Sequence, residues 1–500
     1  MSPTRITHLI GHSSWDGTAE RTSEVFNPAT GEVTGTLDLA SKALVDEVVA
    51  KAAKAQKEWG DASIAKRTRV LFAFRQLLDE RKEEIAKTIT AEHGKTHPDA
   101  IGEINRGLEV VEFACGIGQI LKGGYNENVS TRIDAYSILQ PLGVVGVISP
   151  FNFPAMVPLW FVPVAIATGN AVVIKPSEKD PSAVNLIADL WREAGLPDGV
   201  MNVVHGDKEA VDALLENPTV KSISFVGSTP IAQYVYETGT RNGKRVQALG
   251  GAKNHMLVLP DADLDLAADA AVNAGYGAAG ERCMAISVLL AVDTVADELI
   301  AKIKERTATL TTGEGMGDGV DMGPLVTAAH RDKVKGYIDA GEAEGATLVI
   351  DGREGEWTGG TKDGFFLLPT LFDGVKPEMS IYTDEIFGPV LSVVRVHSFD
   401  EGLQLINDNP FGNGVTIFTN DGGAARRFQH EVQVGMVGIN VPIPTPMAYY
   451  SFGGWKNSLF GDTHAHGMEG VHFFTKTKAV TQRWLDPSHG GLNLGFPQND

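Results

Sequence analysis

Cysteine is scarce in this chain of 500 residues, which has only Cys115 and Cys283, far apart. Two thiols cannot supply the several bridges of a stapled miniprotein, so that class is excluded and a reducing cytoplasm is the expected location. The opening stretch, MSPTRITHLIGHSSWDG, lacks a basic end followed by an apolar run and reads as no secretion signal. Long apolar runs are missing too. The longest, Met156 to Gly169, is too short to span a bilayer and is interrupted by Pro158 and Pro163, so no membrane partner is expected. Positive charge is in deficit: 43 Lys and Arg stand against 63 Asp and Glu, and a formal charge of −20 argues against a nucleic-acid partner.

What is present is ample core material, 43% apolar residues, in a chain long enough for two or three structural units. From Ser41 to Leu121 apolar residues recur at helical spacing (Leu44, Val45, Val48, Val49, Ala52; then Leu71, Phe74, Leu77, Leu78), which predicts an all-helical opening. Short apolar runs then alternate with amphipathic helices: Val144 to Ile148, Ala171 to Ile174, Val200 to Val204 and Lys221 to Val226. Such alternation predicts a parallel sheet with crossover helices. The pattern restarts after Gly250, with a strand over 256–259 and a helix over 264–278, and continues to about Asn440 as a second α/β unit. Alternating stretches over 132–140 and 471–484 stand outside both units and read as an accessory sheet able to pair across subunits. Gly313 to Gly323 lacks the ligand spacing of a calcium loop and reads as a plain loop.

Several segments can carry chemistry. Gly-Glu-Arg-Cys-Met-Ala, 280–285, sets a thiol among small residues beside a cation, which favours a reactive thiolate; a buried structural cysteine, the reading of Cys115, is the alternative. ISPFNFP, 148–154, ends a strand with two prolines and leaves Asn152 either as a rigid amide donor for an oxyanion or as a turn former. Lys175-Pro-Ser-Glu178 offers a cation and a carboxylate at the carboxyl end of a strand, where ribose hydroxyls can be held. Phe225-Val-Gly-Ser-Thr229 places Gly227 and Ser228 where a phosphate meets a helix start. Either segment alone can equally be a satisfied loop. His464 and His466 have no further ligands in a recognised spacing, so no metal is expected.

Taken in order, ISPFNFP, IKPSE, FVGST, LGG, GERCMA, DEIFGPV and FGGWKNS resemble the aldehyde dehydrogenase superfamily over essentially the whole chain. The resemblance implies an α/β fold with a Rossmann-type NAD-binding domain (1–124 and 141–253), an α/β catalytic domain (254–455) and small oligomerisation strands (125–140 and 468–490). It also implies a homodimer or homotetramer. On this resemblance Cys283 is the nucleophile, and Asn152 with the Cys283 backbone amide holds the oxyanion. Phe151, Lys175, Glu178, Gly227 and Ser228 contact NAD, and Glu385 and Phe387 meet the nicotinamide ribose and ring. Glu178 should favour NAD over its phosphorylated form, since a 2′-phosphate would face a carboxylate.

One departure matters. Ordinary members carry Glu before Leu-Gly-Gly, where it activates the hydrolytic water; here that position is Ala248. The stretch Ala248 to His255 and the C-terminal run FGGWKNSLFGD resemble the methylmalonate-semialdehyde branch, which passes its acyl group to coenzyme A. That resemblance implies a malonate-type semialdehyde as substrate, Arg106 and Arg282 as partners of its carboxylate, and decarboxylation to acetyl-CoA or propionyl-CoA. A hydrolytic aldehyde dehydrogenase and a non-catalytic protein with the same fold are the competing readings.

Overall fold

The computed structural model describes residues 3–484. Two sheets dominate it. The first has eight strands, and its central five run parallel in the spatial order Arg245–Leu249, Val220–Val226, Val144–Ile148, Ala171–Lys175, Met201–Val203. The earliest of them along the chain, Val144–Ile148, lies in the middle. Strand order therefore reverses between it and Val220–Val226, and open parallel sheets bind ligands outside the carboxyl ends at such a point. Both faces of these strands are covered, which accounts for the unbroken apolar runs VVGVI and AVVIK.

The helical opening comprises α1 (Lys42–Gly60), α2 (Ile64–Glu80), α3 (Lys82–His93), α4 (His97–Cys115) and the short α5 (Ile117–Ile120). Ser41, Ser63 and Thr96 start α1, α2 and α4 by accepting the backbone N–H of Leu44, Lys66 and Asp99. The apolar run noted at 156–169 becomes α6 (Met156–Ala167), every residue of which is buried. It packs against α4, and Gly107 permits the approach: a Cβ there would meet the Leu159 side chain at 2.5 Å. Among the described residues no helix is long and apolar enough to cross a membrane.

The second sheet has seven strands in the order Thr347–Ile350, Thr370–Asp373, Val390–Val396, Ile286–Val292, Asn254–Val258, Gly414–Phe418, Met436–Ile439, all parallel except the first. The second sheet centres one apolar core, and the first has a separate core on each face.

The structure departs from the sequence reading in several places. Residues before Ser41 form strands: Thr4–Ile6, Arg21–Phe26 and Val33–Leu39 make a small sheet, while Leu9–Ile10 and Ser13–Ser14 extend the first large one. The helix expected over 264–278 stops at Tyr276, because Ala278 and Ala279 take left-handed backbone conformations with φ of 50° and 53°. The strand expected from Val471 starts only at Thr475. Gly467, Gly470, Val471 and Phe474 are buried at helical spacing, and Gly467–Phe473 is a helix. Thr475–Gln482 then pairs antiparallel with Ile133–Pro141, which pairs with Tyr125–Ser130. Residues 485–490 of the expected oligomerisation segment lie outside the described residues. After residue 455 the chain returns to the first sheet, where Leu459–Phe460 pairs with Arg245–Leu249.

Candidate active site

Four motif segments converge because each leaves the carboxyl end of a parallel strand. ISPFNFP follows Val144–Ile148, Pro-Ser-Glu follows Ala171–Lys175, Gly-Ser-Thr follows Val220–Val226, and Gly-Gly-Ala-Lys follows Arg245–Leu249. Cys283 comes from the other unit, in the turn that enters the strand Ile286–Val292.

That turn is made by unusual backbone. Ala278, Ala279 and Gly280 are left-handed in succession, and a Cβ on Gly280 would meet the Gly388 carbonyl oxygen at 2.2 Å. Strain of this kind persists only where the surroundings hold it. Here the Cys283 carbonyl accepts side-chain amides of Asn254 and Asn413, each at 2.9 Å. A cleft lined by Ala252, Arg282, Cys283, Glu385 and Phe387 opens beside the half-buried thiol.

The electrostatics reverse one expectation. Burial, with the Glu385 charge second, pushes the Cys283 thiol up to about 12, against the backbone N–H groups of Cys283 and Met284 and the charge of Arg282. Arg282 does not prevail because its guanidinium is engaged by Asp99 at 2.5 Å, in the first turn of α4. Arg106, two turns further along α4, pairs with Glu109 at 3.0 Å and donates to the carbonyls of Thr445 and Pro446 at 3.2 and 3.4 Å. It is not among the residues lining the Cys283 cleft.

Glu385 is docked on the Gly-Gly-Ala segment: its Oε1 accepts the Ala252 N–H at 2.8 Å, and burial pushes its carboxyl up to about 7. The bare Cα of Gly251 leaves room for the carboxyl, since a Cβ there would meet Glu385 Oε2 at 2.3 Å and displace it. Buried Lys253 ties down the same loop through the carbonyls of Ile381 and Asp384 at 2.8 and 2.6 Å, and burial brings its amine down to about 7. Phe387 is left-handed, with φ 59°, and its carbonyl accepts His330 Nε2 at 2.7 Å. Its ring meets Phe151 edge-on at 5.8 Å, and Lys179 Nζ lies 4.1 Å from the Phe151 ring centre.

At the neighbouring strand end Lys175 Nζ donates to Glu178 at 3.2 Å and to the Gly206 carbonyl at 3.0 Å. Burial works against the Glu178 carboxylate, yet Lys175 holds it below the usual range. Gly227 sits under the Phe225 ring, and Ser228 starts the helix Thr229–Arg241 without a capping bond of its own. Thr229 Oγ1 instead accepts the Gly251 N–H at 2.9 Å. Ala248 is fully buried, in register with Phe225 on one side and Phe460 on the other.

Sequence reasoning passed over Asn254, Asn413, Lys95, Glu103 and Glu281. Glu281 is fully buried, with His330 Nε2 at 3.6 Å and His93 Nε2 at 3.9 Å from its two oxygens, and burial pushes it up to about 8. Glu103 did leave a signal: it falls within the buried stripe Ala100, Ile104, Gly107, Leu108, Val111 of α4. His464 accepts or donates a short bond with Ser451 at 2.6 Å, and His466 is packed between Trp160 and Phe452.

Comparison with known proteins places these features. The aldehyde dehydrogenase family profile matches residues 15–480. A malonate-semialdehyde dehydrogenase of Pseudomonas aeruginosa is 58% identical over 95% of this chain and 96% of its own length. The crystal structure of methylmalonate-semialdehyde dehydrogenase from Oceanimonas doudoroffii is 53% identical, covers 97% of this chain and 99% of that one, and superposes with a TM-score of 0.95. A Sinorhizobium meliloti protein assigned as a methylmalonate-semialdehyde dehydrogenase and crystallised with NAD is 50% identical, with the same coverage and a TM-score of 0.96. With an intact cysteine turn, a switch-point crevice and this extent of likeness, the chain belongs to the aldehyde dehydrogenase family.

Proposed function

We propose that this protein oxidises malonate semialdehyde, or its methylated homologue, with NAD and hands the acyl group to coenzyme A. The observation that carries the acylating half is Ala248. At the position of the family's usual hydrolytic base stands a methyl group, buried between two phenylalanine-bearing strands. A thioester formed on Cys283 then lacks that base for water attack, and a thiol acceptor needs none of comparable strength.

The residues fit NAD. Glu178, steadied by Lys175, presents a carboxylate for ribose hydroxyls at the strand end; Gly227 and Ser228 leave a helix start open to a phosphate; Glu385 and Phe387 reach the Cys283 cleft. Phe151 packs behind Phe387. Bound NAD supplies the two-electron acceptor. The Cys283 sulfur attacks the aldehyde carbon with loss of the thiol proton, and the side-chain amide of Asn152 with the Cys283 backbone N–H stabilises the oxygen that becomes anionic. Oxidation leaves a thioester on Cys283. Its β-carboxylate, for which Arg282 lines the cleft while Arg106 stands outside that lining, departs as carbon dioxide, the resulting enolate takes a proton, and the coenzyme A thiol displaces the acyl group from Cys283. The product is acetyl-CoA, or propionyl-CoA from the methylated substrate.

A product assay with malonate semialdehyde, NAD and isotopically labelled water, with and without coenzyme A, tests this. Acetyl-CoA without label in free acid is expected; equal yields of free acid in both arms overturn the acylating reading. A hydrolytic reading has one observation in its favour, a carboxyl lining the cleft, Glu385, poised to exchange a proton near neutrality. Rapid incorporation of label without coenzyme A would favour it.

We also propose a homodimer or homotetramer. Ile439, Val441, Met447, Tyr449, Tyr450 and Trp455 are exposed within residues 439–455, as are Tyr125, Val129 and Ile138 on the accessory sheet and Trp484 just past its last strand. Apolar surface of this extent is typical of an interface between subunits.

A further inference from the structure

We propose that the buried Lys95–Glu103 pair is the device that positions Asn152 for catalysis. The inference rests on the oxyanion role given to Asn152 above.

Lys95 and Glu103 are 1% and 3% exposed and lie 2.6 Å apart. Both are buried. Lys95 Nζ also donates to the backbone carbonyl of Asn152 at 2.6 Å and stands 4.5 Å from the Phe153 ring centre. Glu103 Oε1 accepts the N–H groups of Ala155 and Met156 at 2.9 and 3.1 Å. α6 begins with Ala155 as its N-cap and has no capping side chain of its own, so a carboxylate from α4 does this work. The pair therefore grips the chain at the Asn152 carbonyl and again at the helix start three residues on, bracketing Phe153 and Pro154. A shift of the Asn152 backbone must break its bond to Lys95, and Glu103 holds the chain just beyond it.

Lys95 is itself fixed from above. The Gly/Asp-rich stretch 313–323, which the sequence gives no role, packs two of its glycines directly on the Gly94–Lys95 backbone: a Cβ on Gly315 would meet the Lys95 carbonyl oxygen at 2.4 Å, and one on Gly323 the Gly94 oxygen at 2.0 Å. The His97 N–H donates to the Gly315 carbonyl at 2.9 Å. A buried ion pair contributes little net stability compared with apolar residues of the same shape. What this one adds is a donor and an acceptor aimed at the backbone of one turn.

Three variants separate positioning from bulk stability. Lys95→Met and Glu103→Gln each leave a lone buried charge and are expected to melt early. The double variant K95M/E103Q removes both charges and is expected to regain thermal stability and NAD affinity. Its single-turnover rate of NADH formation with saturating malonate semialdehyde should nonetheless stay about 100-fold low, the scale of a lost oxyanion donor. With Asn152→Ala in place, adding the pair of substitutions should lower the rate by less than about threefold, since the group being positioned is gone. Recovery of rate together with stability in the double variant overturns the positioning role. So does a full additional loss on top of Asn152→Ala. If Asn152→Ala alone leaves the rate unchanged, the oxyanion assignment fails first and takes this inference with it.

Discussion

The thiol of Cys283 faces a cation and still rests in its neutral form, because burial and the Glu385 charge outweigh Arg282, whose guanidinium is shared with Asp99. A thiol pushed up to about 12 is alkylated slowly. In a Cys115→Ser background, cofactor-free protein should react with iodoacetamide at pH 7.5 at least ~100-fold more slowly than free cysteine, with a rate still rising above pH 9. A plateau near pH 7 would show that the thiolate is already formed. Glu281, two residues upstream, gives a second test. Its folded form holds the proton up to about pH 8, whereas an unfolded carboxyl releases it near 4.5. Stability is therefore greatest below the unfolded value, falls as pH rises between the two, and carries the full penalty above pH 8. Glu281→Gln keeps the shape and removes the titration. In urea unfolding it should gain stability over the parent at pH 9 by about 2–4 kcal/mol more than at pH 5. A gain independent of pH would mean that Glu281 is ionised in the fold already.

Among the elements, α4 does the most to assemble the site. Asp99, Glu103 and Arg106 recur at i, i+4 and i+7 on it, and they meet Arg282, Lys95 with the α6 start, and the carbonyls at 445 and 446 respectively. Arg106→Ala tests the proposed carboxylate site from this helix. A lost charge-assisted contact costs about 2 kcal/mol, so kcat/KM for malonate semialdehyde should fall at least ~30-fold while that for propanal changes less than ~3-fold. Equal losses on the two aldehydes would assign Arg106 to the structure alone. How far such parts can be read in advance depends on how local their cause is. Val144–Ile148 and Ala171–Lys175 were legible because burial on both faces leaves unbroken apolar runs. The stretch from Val471 was misread because Val471 and Phe473 suit a strand and a short helix equally, and only the packing of Gly467 and Gly470 decides. Motif residues such as Asn152 and Cys283 stood out through their neighbours. Lys95 did not: its partner carbonyl lies 57 positions away, and no local pattern encodes a contact across that distance.

At the scale of the whole molecule, two of the open sheet edges among the described residues stand near exposed apolar side chains. Met436–Ile439 ends the second sheet, and Thr475–Gln482 ends the accessory one, with five of its eight residues exposed. An unpaired edge beside exposed apolar side chains is a liability in a monomer and an asset in a symmetric assembly, where the edge of one copy can complete the sheet of another. The exposed Ile439 and Val441 lie at the first edge, and Trp484 beyond the second. If these surfaces meet across a two-fold axis, charges placed on one of them should separate the copies without unfolding either, since neither residue is buried in its own subunit. Sedimentation of the parent is expected to show a dimer or tetramer, and the combined variant Ile439→Lys with Val441→Lys a smaller species with an unchanged far-ultraviolet spectrum. A parent that sediments as a monomer would overturn the assembly. A variant that keeps the parental mass would move the interface away from the Met436–Ile439 edge.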